Sequence, residues 1–116
     1  RVPDASGVLT GKVNVDTVFD KNDHRSTRKK EWIVQALQKI EHIKPIADSY
    51  GWTVTELAIK FILSQNKITS VLPTVVNLEE IELFTNMSDG RCLRQDDLEA
   101  LSQMYDKDFY TTTIRE

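Results

Sequence analysis

Two stretches of the chain hold residues whose types and spacing suit phosphate chemistry. Gly7 and Gly11 permit tight turns and close backbone approach, and Lys12 and Arg25 bring positive charge to the same region. A pyrophosphate exploits that combination, and an ordinary surface loop with scattered basic residues shares it. The second stretch is the turn from Pro73 to Asn77, which leads into Asn77-Leu78-Glu79-Glu80, an N-cap followed by an acidic first turn. The first amides of such a helix have no intrahelical partner and its dipole adds partial positive charge, so it reads either as a phosphate site or as a capped surface helix without a ligand. His24 and His42 lack metal-ligand spacing with any other ligand, and Arg28-Lys29-Lys30 reads as a solvated face at a helix start. Trp32 and Trp52 read as core or interface residues. No nucleophile, base and orienter come together, so no catalytic residue and no metal site are assigned.

Composition narrows the classes. The 116 residues make one modest domain, less than half of a complete (β/α)8 barrel at roughly 250 residues. A net charge of −3 argues against a general affinity for nucleic acid or anionic membranes. The apolar run from Ile68 to Val76 is too short to span a bilayer and is interrupted by Pro73. Cys92 is the single cysteine, so no internal disulfide can form, and a reducing, cytoplasmic setting is expected. The opening Arg1-Val2-Pro3 has no initiator Met and no leader pattern, and reads as the back end of a larger protein.

The elements that position these residues follow from periodicity. Residues 1–26 read as a long loop with a hairpin around Val13 to Phe19. From Thr27, apolar residues at Ile33, Ala36, Leu37, Ile40, Ile43, Ala47 and Tyr50 predict an amphipathic helix, with a kink or break near Ile43-Lys44 imposed by Pro45 and a stop at Gly51. Thr53 and Glu56 have capping-box spacing at the start of a second helix over about 54–64. Lys67 to Val76 reads as a buried strand ending near Pro73, a third helix follows Asn77, and a fourth spans Gln95 to Lys107. A helix-turn-helix reader of DNA over Ile46 to Gln65 is a weak competitor, because its second helix is largely apolar and offers only Lys60 as a basic residue.

Taken in order, Pro3-x-x-x-Gly7-Val8-Leu9-Thr10-Gly11-Lys12, Asp23-His24-Arg25, Ile46-Ala47, Gly51-Trp52-Thr53, Leu57-Ala58, Val71-Leu72-Pro73 and Asn77-Leu78-Glu79-Glu80-Ile81 resemble the C-terminal third of an aldo-keto reductase. Leu93 to Leu101 resembles that family's closing helix. The resemblance implies an α/β fold, the C-terminal part of a (β/α)8 TIM barrel. Residues 1–26 would be the loop after strand seven, 27–64 helices, 67–76 strand eight, 77–107 the C-terminal helices and 108–116 a tail. With at most two barrel strands the segment cannot close a barrel, so taken alone it is expected to be predominantly α-helical with little strand. Helix faces that would cover a barrel should then be apolar and exposed, favouring self-association.

The resemblance also implies chemistry: hydride transfer between NADP(H) and a small carbonyl or alcohol substrate, with a Tyr acid supported by Asp, Lys and His on strands outside this chain. The residues carried over lie on the cofactor's phosphate and adenosine side. Asp4, Ala5, Ser6, Gly7 and Thr10 fall near the pyrophosphate, Lys12 and Arg25 serve as charge partners, and Thr74, Val76, Asn77 and Glu80 surround the adenosine ribose and 2′-phosphate. Several positions depart from the family's usual residues. Asp4 stands in a Val-Pro-Asp opening where relatives often have Ser-Pro-Leu, Thr74 where Gly or Lys is common, and Val76 where Ser is common. Glu80 replaces Arg, Gln or His, and Leu83-Phe84 replaces Glu-Asn. These departures leave two expectations open: a nicotinamide cofactor held differently, or a regulatory or interaction protein that keeps the reductase scaffold without its site.

Overall fold

A computed structural model describes residues 2–111. Four α-helices order the chain: α1 is Lys30–Tyr50, α2 Val54–Leu63, α3 Leu78–Met87 and α4 Gln95–Asp106, with short 3₁₀ turns at Val8–Thr10, His24–Thr27 and Asp108–Tyr110. Among the described residues there is no strand.

Helix α1 is the spine, and its apolar stripe serves two cores in succession. Its first half presents Ile33, with Ala36, Leu37 and Ile40, to Val8 and Val13 of the opening loop. The second half presents Ala47, with Ile43, Ile46 and Tyr50, to Trp52, Leu57, Leu93 and Leu101 from α2, α4 and their approaches. The helical repeat keeps both sets on one face, so the loop and the other helices are held by a single rigid element. Pro45 does not break it. The residue is exposed, so the carbonyl of Glu41 that loses its partner is open to water, and the lost bond is tolerated. Helix α1 begins at Lys30 rather than Thr27, because Asp23 caps a separate 3₁₀ turn by accepting from the Arg25 amide at 2.8 Å.

Cap chemistry sets the other boundaries. Gly51, at φ 72°, ends α1, with its amide bonded to Asp48 O and that of Trp52 to Ala47 O, each at 3.0 Å. Those two bonds form a Schellman end, and Trp52 and Ala47 pack in the same cluster. Thr53 accepts from the Glu56 amide at 3.1 Å, but the Glu56 carboxylate turns to Lys60 instead of closing the box. Arg94 precedes α4 with no side-chain cap, and the hydroxyl of Tyr50 substitutes by accepting from the Arg94 amide at 2.8 Å and donating to the Asp97 carboxylate.

Two sequence expectations are corrected. The segment 67–76 forms no ladder and is an irregular extended run, since β-propensity makes a strand only beside a neighbouring strand and there is none among the described residues; the Ile68 amide donates to Gln65 O and the Val76 amide to the Glu80 carboxylate instead. The hairpin expected at 13–19 is a local turn, in which Asn14 Oδ1 accepts from the Asp16 amide and Thr17 Oγ1 from the Asn14 amide, both at 2.9 Å. Side chains that bond to nearby backbone compete with ladder pairing. Part of the expected tail is structured, with Asp108 paired to Lys39 on α1; residues 112–116 lie outside the described residues.

Leu72, Val76, Leu78, Ile81 and Leu83 on the extended run and α3 are exposed, and Met87 is the buried residue of that helix. Exposed apolar helix faces are expected from the sequence, and α3 carries exposed Leu78, Ile81 and Leu83.

Candidate nucleotide site

The opening loop owes its shape to backbone that few side chains tolerate. Ala5, Ser6 and Gly7 have φ of 50°, 60° and 89°, a left-handed run that coils the chain back on itself. The Gly7 and Leu9 amides both donate to Asp4 O at 3.1 Å, and the Thr10 amide and hydroxyl both donate to Gly7 O, at 3.2 and 2.6 Å. A Cβ on Gly7 would lie 3.1 Å from Arg25 Nη1, so glycine there serves the close approach as well as the positive φ.

Arg25 locks this loop. Its Nη1 donates to Ser6 O at 3.1 Å, and its Nε and Nη2 grip the Asp23 carboxylate at 3.0 and 2.6 Å. The guanidinium also lies over the Phe19 ring, 4.3 Å from its centre. These bonds hold the Asp23 carboxyl down from its ordinary 3.8 to about 2, the Arg25 side chain being the main cause and the Arg25 amide the next. In return Asp23 pushes the guanidinium up, with Asp4 adding a smaller attraction. Arg25 has five N–H groups and these bonds use three, leaving two directions for a ligand.

At the other stretch, Asn77 caps α3 by accepting from the Glu80 amide at 2.9 Å. Glu80 reaches back, and its Oε2 accepts from the Val76 amide at 2.8 Å while Oε1 stands 3.7 Å from Lys12 Nζ. That ion pair links Lys12, on the loop that also carries Asp4, Ala5, Ser6, Gly7, Thr10 and Arg25, to Glu80 at the α3 start beside Val76 and Asn77. Thr74 sits exposed on the extended run beside them in sequence.

Sequence reasoning missed a second cluster, around Lys60. Its side chain is 1% exposed, and Nζ donates to the Asp89 carboxylate, lies 3.7 Å from Glu56 Oε1 and sits 4.8 Å from the centre of the Trp52 ring. A lysine this buried cannot reach bases, so the second helix of the DNA-reading alternative loses the one basic residue it offered. Its pairing ties α2 to the turn after α3 and holds the Asp89 carboxyl far below the usual carboxylate range. The hydroxyl bridge Tyr50–Asp97 was also missed; the signal for it was Arg94, a poor cap before an acidic first turn. An apolar groove of roughly 1060 Å³ is lined by Pro3 and Leu9 of the opening loop together with Leu57, Phe61, Leu98 and Tyr105. Among the described residues no helix is long and apolar enough to cross a membrane.

The chain belongs to the Aldo/keto reductase family, whose sequence pattern matches residues 2–106. It is 33% identical over 85 residues to a probable voltage-gated potassium channel subunit beta of Arabidopsis thaliana, covering 69% of this chain and 26% of that protein. A protein of the same description from Oryza sativa subsp. japonica is 32% identical over 90 residues, covering 73% and 27%. The chain thus spans about a quarter of the length of the curated relatives it matches. No solved structure matches it.

The family suggests a nicotinamide cofactor, and the residues present fit it unevenly. Beside the loop, Arg25 keeps two N–H groups for an anion. At the start of α3 the fit fails for a 2′-phosphate, because the Val76 amide and the Lys12 ammonium already face the Glu80 carboxylate. Across the whole cluster three carboxylates, Asp4, Asp23 and Glu80, stand against two cations, Lys12 and Arg25.

Proposed function

We propose that this chain is the phosphate- and adenosine-side part of a nicotinamide-nucleotide site in an aldo/keto reductase-type oxidoreductase. The observation that carries this reading is the Lys12–Glu80 pair, which joins the glycine-bearing loop to the α3 start in a family member. Bound there, a nicotinamide cofactor would supply hydride for reducing a small carbonyl substrate to an alcohol in the longer protein. This chain's own part is to bind and orient. Arg25 offers its two remaining N–H groups to a phosphate oxygen, and the Ser6 hydroxyl lies on the loop whose coil Arg25 fixes. The general acid and its supporting residues belong to strands outside this chain. In that architecture 1–26 follows the seventh strand of a (β/α)8 barrel, and 67–76 is an eighth strand that pairs only when its neighbours are present. A cytoplasmic location accords with the single exposed cysteine.

Isothermal titration with NADH tests the reading. The wild-type chain should bind weakly, and Arg25→Ala should weaken binding about tenfold. Equal heats for both proteins would refute the role of Arg25, and no heat from either at millimolar nucleotide would refute the site. A second reading, a regulatory or interaction protein on the reductase scaffold, is favoured by the relatives' description as channel subunits and by the carboxylate surplus at the site. Exposed apolar side chains on α3 and the run before it also support self-association.

A further inference from the structure

The misfit at the α3 start has a specific author within the chain. Glu80 is the third residue of its helix, and instead of closing a capping box on Asn77 it reaches one residue further back, to the Val76 amide. Its side chain is only 20% exposed, whereas that of Lys12 is 75% exposed. The carboxylate is therefore held against the surface by the Val76 amide, with the more exposed lysine beside it as its counter-ion. A phosphate arriving here would meet an amide already bonded, a lysine already drawn to a carboxylate, and the negative charge of that carboxylate at close range. A ribose hydroxyl meets no such repulsion, since a carboxylate accepts hydrogen bonds from it.

We infer that Glu80 acts as an internal ligand of the nucleotide site, occupying the Val76 amide and Lys12 so that the site rejects a nucleotide carrying a 2′-phosphate and admits one with a free ribose. This inference rests on the nucleotide reading above and assigns its specificity to one side chain. NADP(H), the cofactor expected from the sequence, is then disfavoured relative to NAD(H) in this chain.

The test is backbone-amide NMR of the full chain, wild type and Glu80→Gln, titrated with 5′-AMP and with adenosine 2′,5′-bisphosphate. Glutamine keeps an acceptor for the Val76 amide and removes the charge. Wild type should bind 5′-AMP at least as tightly as the bisphosphate. Glu80→Gln should bind the bisphosphate about tenfold more tightly, with 5′-AMP changed by no more than about twofold. Without any nucleotide, the Val76 amide resonance should move between wild type and Glu80→Gln, because the carboxylate it donates to becomes a neutral carbonyl. Tighter wild-type binding of the bisphosphate, an equal gain for both nucleotides, or a Val76 amide indifferent to Glu80 would each overturn the inference and leave the nucleotide site standing. If neither nucleotide moves any amide in either protein, the site reading itself fails and the inference falls with it.

Discussion

Replacing Lys60 separates what its buried stem contributes from what its charge contributes. The side chain is 1% exposed and packs beside Trp52, so Lys60→Ala removes three buried methylenes at about 0.8 kcal/mol each, together with their packing. The expected loss is about 2–3 kcal/mol. Lys60→Met keeps the stem and removes the cost of holding an ammonium away from water. The partner it abandons, Asp89, remains bonded to the Arg91 amide and guanidinium at 2.9 and 2.7 Å and is partly solvated. Lys60→Met should therefore lie within about 1 kcal/mol of wild type, because the carboxylates it abandons, Glu56 and Asp89, are 20% and 29% exposed and keep water as a partner instead of being left as buried lone charges. Asp89→Asn is the opposite case: it leaves the buried ammonium facing a neutral group, with Glu56 as its remaining carboxylate at 3.7 Å, and should be less stable than Lys60→Met. Urea unfolding followed by circular dichroism gives the comparison. For a domain of this size about 1 kcal/mol corresponds to roughly 4–8 °C in Tm, so Lys60→Ala should fall well below Lys60→Met. A methionine variant as unstable as the alanine one would refute the reasoning, because the charge pair rather than the stem would then be what stabilises the fold.

The borrowed cap predicts that Tyr50→Phe loses about 1–2 kcal/mol, since the Arg94 amide loses its acceptor and the Asp97 carboxylate a donor; an unchanged urea midpoint would contradict it. Gly7→Ala should cost about 1–2 kcal/mol through its left-handed φ and the contact with Arg25, and wild-type stability in that variant would show the loop to be shaped otherwise. Because the folded state holds Asp23 down at about 2, against an ordinary 3.8, its contribution is complete above about pH 4 and is lost as pH falls toward 2. Asp89 acts in the same direction. Thermal melts between roughly pH 5 and 2 should show falling stability, less steeply in Arg25→Gln, and a flat profile would contradict the pairing. Sedimentation should show self-association that weakens when Leu72 and Leu78 are both changed to Ser; a wild-type monomer at high concentration would remove the proposal.

Helix ends were legible in the sequence because their chemistry is local: Gly51 accepts a left-handed φ, and Thr53 and Asn77 carry hydroxyl and amide oxygens that meet the third amide of the turn. The family's residues were legible for a related reason, since the glycine-bearing opening and the Asn-Leu-Glu-Glu start of α3 are contiguous in sequence. The 67–76 strand was not, because valine and isoleucine state a preference that only a neighbouring strand can satisfy. Pro45 leaves α1 unbroken, since its effect depends on whether water reaches the freed carbonyl. Lys60 was illegible for the same kind of reason. On a helix it reads as solvated, and its burial is created by Trp52 and by Asp89, which arrives from the far side of α3. The reach of Glu80 to Val76 and Lys12 also depends on folding, although its place as the third residue after an N-cap marked it as a side chain able to turn back.

The central claim is that the opening loop and the start of α3 form one nucleotide-binding surface. Hydrogen exchange of the full chain with and without NADH tests it most directly. The account predicts slowed exchange confined to the amides of Ser6 to Lys12 and of Val76 to Glu80, with both stretches protected at the same nucleotide concentration. Protection of one stretch without the other, or protection centred on the apolar groove at Leu57, Phe61 and Leu98, would contradict it.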